Sequence, residues 1–116
     1  MIWKIRRKFP RLNSVIVNYS KELNGQYDIR VTINISANGI CVVIDDNLEQ
    51  GTVLYLKIFL PNYKLPILAK GRVMWVKEMG RKEYKGIHYK LGIEFIEINA
   101  ADAQNIANYV LVHLPK

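Results

Sequence analysis

The chain has 116 residues, of which 50% are hydrophobic and 23% are charged, the composition of an ordinary soluble globular domain. One cysteine excludes an internal disulfide, and with only two histidines it also excludes a closed Cys/His zinc site. No apolar run approaches the roughly 18 residues of a membrane span, so we expect one cytoplasmic domain without stable membrane insertion.

The net charge of +7 is concentrated at the N-terminus. Residues 1–21 hold six of the 17 basic residues and none of the 10 acidic ones, so the remainder of the chain is nearly neutral. Such asymmetry indicates an anionic partner, which could be nucleic acid, a membrane surface or a phosphorylated small molecule.

Residues 1–13 are predicted to be a flexible basic segment, which carries an RRxxxR pattern formed by Arg6, Arg7 and Arg11. Pro10 disfavours a helix here, and in an extended segment Arg7 and Arg11 point to the same side and can converge on one ligand. Arginine binds phosphate through paired hydrogen bonds, and it also matches the O6 and N7 acceptors of guanine. A solvated basic tail is the alternative, and the pattern taken alone favours it.

Residues 14–98 are predicted to form a six-stranded antiparallel β-barrel. The apolar patterns cover residues 15–19, 27–35, 39–44, 53–60, 65–76 and 87–98. Short polar connections allow neighbouring strands to pair as hairpins, and closure removes the sheet edges. Gly71 and Gly92 lie inside strand patterns and predict bends or bulges, while Trp75 and Phe95 are expected in the core.

The junction of the second and third strands carries an NxSxxG pattern, formed by Asn34, Ser36 and Gly39. A hairpin turn explains most of it, since Asn and Ser bond to nearby backbone and Asn38 with Gly39 tolerates positive φ. The functional interpretation is that Asn34 and Ser36 present polar groups on one face, where they read a base edge or hold a phosphate. Gly39 would then let backbone and ligand approach closely.

Residues 99–114 are predicted to form one C-terminal helix, because the apolar residues there recur at helical spacing. Asn99 is a suitable N-cap residue. The apolar stripe consists of Ala103, Ile106, Ala107, Val110, Leu111 and Leu114. We expect this stripe to pack against the barrel, with formation of a homodimer through the same helix as the alternative.

Taken together, the two patterns resemble the PilZ domain family of bacterial receptors for the second messenger cyclic di-GMP. That family is marked by RRxxxR near the N-terminus, followed by (D/N)xSxxG at a strand junction. Here 22 residues separate Arg11 from Asn34, and residues 48–51, 71–76 and 91–95 also resemble the family. The one departure is Asn34, where aspartate is more frequent.

The resemblance implies an all-β fold with one C-terminal helix, and a non-enzymatic receptor whose ligand is cyclic di-GMP. It implies that Arg7 and Arg11 bind phosphate and guanine, that Asn34 and Ser36 contact the ligand from the barrel, and that Gly39 shapes the turn. In this family, an arginine at the position of Arg6 is associated with the binding of two intercalated ligand molecules. No other cofactor and no metal are expected, and the partner is an effector protein that the sequence does not identify.

Two other readings compete with this one. A small basic β-barrel that binds single-stranded nucleic acid should expose several aromatic residues on one sheet face, whereas the aromatics here fall mainly within alternating strand patterns. The second competing reading is a PilZ fold that acts as a ligand-independent interaction module. The two intact motifs argue against it. No acid, base or nucleophile constellation predicts an enzyme.

Overall fold

Apolar alternation produces strands over most of the chain, and a switch to helical spacing produces the final element. The computed structural model describes residues 15–22, 28–61, 63–79 and 87–112. The predicted segment 1–13 and the predicted helix end at residue 114 therefore lie outside the described residues. The elements are β1 (Ile16–Ser20), β2 (Asp28–Ser36), β3 (Gly39–Ile44), β4 (Val53–Phe59), β5 (Ile67–Met79), β6 (His88–Ile98) and α1 (Ala100–Val112).

The six strands close into a barrel in the order β1-β2-β3-β6-β5-β4. All neighbouring pairs are antiparallel, and the pairing of β1 with β4, from Ile16↔Phe59 to Ser20↔Tyr55, closes the ring. The predicted six-stranded antiparallel barrel is thus confirmed. The pairing of β3 with β6 joins segments that are far apart in sequence.

The barrel interior is filled by one apolar cluster. On β4 the alternation is regular, because Leu54, Leu56 and Ile58 are almost completely buried while the residues between them are partly exposed. Burial of each such side chain contributes about 2 kcal/mol of hydrophobic free energy. The largest fully buried side chains are Ile44, Leu54, Leu56, Ile58, Leu91, Ile106, Val15, Val17, Val42 and Val73.

Helix α1 packs near β2 and extends the core. Its N-cap is Asn99, as predicted, because the side-chain oxygen accepts a hydrogen bond of 2.8 Å from the backbone N–H of Ala101. Ile106 and Tyr109 are buried in the core, whereas Leu111 is 69% exposed, so the predicted stripe is wrong at Leu111. Within the described residues, none of the helices combines the length and the apolar character that a bilayer crossing requires.

Two irregularities in the pairing of β5 with β6 shape the outer surface of the barrel. The register shifts between Lys70 and Gly71, and again between Val73 and Trp75, whose partner is Gly92. Of the bends or bulges predicted at Gly71 and Gly92, the structure shows register irregularities, one next to Gly71 and one on β5 opposite Gly92. At a bulge two residues on one strand face one residue on the other, which interrupts the alternation of side chains.

Candidate functional site

The NxSxxG pattern lies where β2 turns into β3. Ser36 pairs with Gly39 across a two-residue turn. Ile35 is buried and its two neighbours Asn34 and Ser36 are exposed, so these polar side chains lie on the outer face of the barrel, as alternation predicts. A register shift between Thr32 and Asn34 sets Asn34 opposite Cys41.

One hydrogen bond closes this turn and another fixes it to β6. The Ser36 hydroxyl oxygen accepts a bond of 3.2 Å from the backbone N–H of Asn38. The carbonyl oxygen of Asn38 in turn accepts a bond of 2.8 Å from the N–H of Phe95. The turn is therefore fixed to its neighbouring strand at the point where the polar side chains emerge.

Gly39 is required here for close approach of two strands. A Cβ atom at this position would overlap the carbonyl oxygen of Ile93 on β6. Among the described glycines, positive φ occurs at Gly51 and not at Gly39, so Gly39 does not use the positive φ that a glycine allows.

An open groove of about 400 Å³ runs beside this turn, over the outer surface of β2, β3, β6 and the bulged part of β5. Its volume is within the range of small-ligand sites. The residues that line it are Asn34, Ser36, Asn38, Gly39, Ile40, Cys41, Met74, Trp75, Lys90, Gly92, Ile93 and Glu94. Three residues chosen from the sequence, Asn34, Ser36 and Gly39, thus meet on one surface.

Trp75 belongs to this groove and not to the core, which corrects the sequence-based expectation. The side chain is 44% exposed, because the bulge after Val73 turns both Met74 and Trp75 outward. The indole lies against Gly92, where a Cβ atom would overlap the ring. A glycine inside a strand pattern, here Gly92, is the sequence signal for such a close approach, but it does not identify the residue that lies against it.

The groove combines an apolar floor with charges at its sides. Burial raises the pKa of the Cys41 thiol, and the nearby Lys90 ammonium partly offsets that rise, so the thiol stays neutral at pH 7. Lys90 and Glu94 are the charged residues among the described residues that line the groove. A described surface with a single cation would need further positive charge to hold a dianionic ligand.

Arg6, Arg7 and Arg11 would supply such charge, but they lie outside the described residues. Their position relative to the groove therefore remains a sequence-based expectation. Among the described residues, no group of three or more His, Cys, Asp or Glu side chains is arranged to hold a metal ion.

A model of the PilZ domain family matches residues 5–111, which is nearly the whole chain. The match includes both motifs and all seven elements of the fold, up to the last turn of α1. No curated protein sequence matches the chain significantly.

Solved structures of similar fold include two that are longer than this chain. The Bacillus subtilis inhibitor of motility (MotI/DgrA) shares 28% sequence identity, with a TM-score of 0.70, over 86% of this chain and 47% of its own. The MrkH–c-di-GMP complex of K. pneumoniae shares 17% identity, with a TM-score of 0.67, over 84% of this chain and 45% of its own. This chain spans about half the length of either.

A third similar structure is a domain of matching size. The PilZ domain with c-di-GMP of YcgR from Escherichia coli shares 9% identity, with a TM-score of 0.65, over 88% of this chain and 83% of its own. At such low identity the likeness to this domain and to MrkH is one of fold.

Proposed function

This chain belongs to the PilZ domain family, and we propose that it is a cytoplasmic, non-enzymatic receptor that binds cyclic di-GMP and signals to a protein partner. The observation that carries the proposal is the meeting of Asn34, Ser36 and Gly39 at one groove. Two structures of similar fold, those of MrkH and of the YcgR domain, are complexes with c-di-GMP.

In this proposal, the phosphates, the base edges and the base faces of the ligand each contact a group of the protein that matches their chemistry. Asn34 and Ser36 donate hydrogen bonds to a phosphate or to the edge of a guanine, from side chains that already point into the groove. Trp75 offers an aromatic surface on which a base can stack. Arg7 and Arg11 donate hydrogen bonds to the phosphates and to the O6 and N7 acceptors of guanine.

The charge distribution supports a role for the arginines. Cyclic di-GMP is a dianion, and the described groove contributes Lys90 as its one cation. The excess charge of the chain is in residues 1–21, so the arginines of this segment are the proposed source of the additional positive charge. Arg6 extends this cluster, and we propose that it favours two intercalated ligand molecules over one.

We further propose that ligand binding holds residues 5–12 against the barrel and thereby creates a surface for the effector protein. The coupling is thermodynamic: contacts made only in the bound form shift the population toward it. Hydrogen exchange tests this step, since protection of residues 5–12 should rise on addition of cyclic di-GMP. Equal protection with and without ligand would contradict it.

Titration calorimetry tests the proposed function. The natural chain should bind cyclic di-GMP at micromolar protein concentration, and the stoichiometry reports on the role of Arg6. The double variant Arg7→Ala with Arg11→Ala should lose at least about a hundredfold in affinity, since each lost charged hydrogen bond costs about 1.5 to 3 kcal/mol.

A matched control separates specific contacts from general attraction. The double variant Lys4→Ala with Lys21→Ala removes the same charge from residues 1–21 but leaves the motif intact, so its affinity should fall only severalfold. Equal losses in the two double variants would contradict the proposed site. Salt-sensitive binding to an oligonucleotide without binding to cyclic di-GMP would support the nucleic-acid alternative.

A further inference from the structure

The groove presents a carboxylate where an anionic ligand is proposed to bind. Glu94 is exposed on β6 and lines the groove beside the NxSxxG turn. The strand register sets it opposite Gly39 on β3 and opposite Arg72 on β5. Close to a dianion, a carboxylate without a further role weakens binding by repulsion.

The Glu94 carboxylate has no partner among the described residues. Within the part of the chain that the structure describes, it takes part in no hydrogen bond or ion pair. Glu97, three residues further along β6, differs because its carboxylate lies 3.5 Å from the ammonium of Lys70 and outside the groove. None of the described residues therefore competes with a ligand for the Glu94 carboxylate.

The position of Glu94 relative to Trp75 suggests which ligand group it meets. The Trp75 ring lies against Gly92, two residues before Glu94 on the same strand. Residues two apart on a strand point to the same face and are about 7 Å apart. A base stacked on Trp75 would thus extend one of its edges toward the Glu94 carboxylate.

We propose that Glu94 is a specificity-determining residue that selects guanine, by accepting hydrogen bonds from N1–H and from the N2 amino group. This inference rests on the proposed function, because it assumes that cyclic di-GMP occupies the groove. A carboxylate has only acceptors, and the adjacent N1 and N2 groups of guanine are both donors. Adenine carries an acceptor at N1 and no amino group at C2, so its edge repels the carboxylate.

The sign of a mutational effect distinguishes this role from simple repulsion. If Glu94 only repelled the ligand, Glu94→Gln would remove a negative charge and strengthen binding of a dianion. If Glu94 binds guanine, the same change weakens binding, because the amide N–H₂ of glutamine confronts a donor of the base. The side chain is exposed, so the variant is expected to fold normally.

Calorimetry on the natural chain, Glu94→Gln and the control Glu97→Gln measures this effect. Glu94→Gln should weaken binding of cyclic di-GMP about tenfold, as expected for a charged hydrogen bond. Glu97→Gln makes the same charge change on the same strand outside the groove, and its affinity should stay the same or rise slightly.

An inosine analogue isolates the contact to the N2 amino group, since cyclic di-IMP lacks that group but keeps O6, N7 and N1–H. The natural chain should bind the analogue about tenfold more weakly than cyclic di-GMP, and Glu94→Gln should reduce this difference markedly. Cyclic di-AMP should bind the natural chain more weakly than either.

The outcomes separate this inference from the proposed function. Absence of cyclic di-GMP binding by the natural chain would overturn both. Normal binding by the natural chain, with equal or tighter binding by Glu94→Gln or an unchanged preference over cyclic di-IMP, would overturn the role of Glu94 and leave the receptor function standing.

Discussion

At the scale of single residues, the contact between Trp75 and Gly92 determines the shape of the groove. The ring is exposed because of a bulge, and it keeps its position because Gly92 has no side chain beneath it. Together these two residues provide a flat apolar surface beside the polar groups of Asn34 and Ser36. The shape of the groove therefore depends on Gly92, because a Cβ atom at this position would displace the Trp75 ring.

Substitution Gly92→Ala should displace the Trp75 ring. The added Cβ atom would overlap the indole, and the exposed ring can rotate away without disturbing the core. We expect a changed emission spectrum of Trp75 and about tenfold weaker cyclic di-GMP binding, the cost of losing one base stack. The measurement uses a Trp3→Phe background, in which Trp75 is the one remaining of the two tryptophans. An unchanged spectrum together with unchanged affinity would contradict this account.

Cys41 should react slowly with thiol reagents in the folded protein. Burial raises the pKa of its thiol above the ordinary value of 9.0, so less of the reactive thiolate is present. Iodoacetamide should modify the native chain at least about tenfold more slowly than the urea-unfolded chain at pH 8. Mass spectrometry reads a single site, because the chain has one cysteine.

The raised pKa of the Cys41 thiol also predicts how the stability of the fold depends on pH. Above pH 9.0 the unfolded thiol loses its proton while the folded one keeps it, so the contribution of Cys41 to the free energy of unfolding falls as pH rises. The Cys41→Ser variant has no thiol to titrate, so its free energy of unfolding should lack this decrease with pH.

In the alkylation experiment, equal rates for the folded and unfolded chains would show that the fold does not protect the Cys41 thiol.

At the scale of elements, alternation predicts the strands well and fails where a bulge changes the phase. It places Leu54, Leu56 and Ile58 of β4 correctly in the core. It fails at Trp75, because the extra residue after Val73 reverses which side chains point inward. Gly92 indicates that a bulge is present, but the amino-acid pattern alone does not say which residue it turns outward.

The cap of α1 gives a prediction at this scale. The Asn99 side chain satisfies the N–H of Ala101, so Asn99→Ala should lower the free energy of unfolding by about 1 kcal/mol. Asn99→Asp keeps an acceptor at the N-cap and adds a charge that the helix dipole favours, so it should retain stability. Urea denaturation measures both variants. An alanine variant as stable as the aspartate variant would show that the cap contributes nothing.

At the scale of the whole molecule, strand order assembles the groove from distant parts of the chain. The pairing of β3 with β6 brings Glu94 opposite Gly39, and the pairing of β6 with β5 adds Trp75. The NxSxxG motif was visible in the sequence, because its three residues are close together along one hairpin. Lys90, Glu94 and Trp75 were not, because no local pattern records which strands become neighbours.

Amide NMR during a titration with cyclic di-GMP tests most directly whether this ligand binds in the groove. Binding in the groove should produce chemical-shift changes at the amides of Ser36, Gly39 and Gly92 and at the indole N–H of Trp75. The chemical shifts of the amides of Leu68 and Asn99, which lie outside the groove, should not change. An absence of changes at millimolar ligand, or changes centred on Leu68 and Asn99, would contradict it.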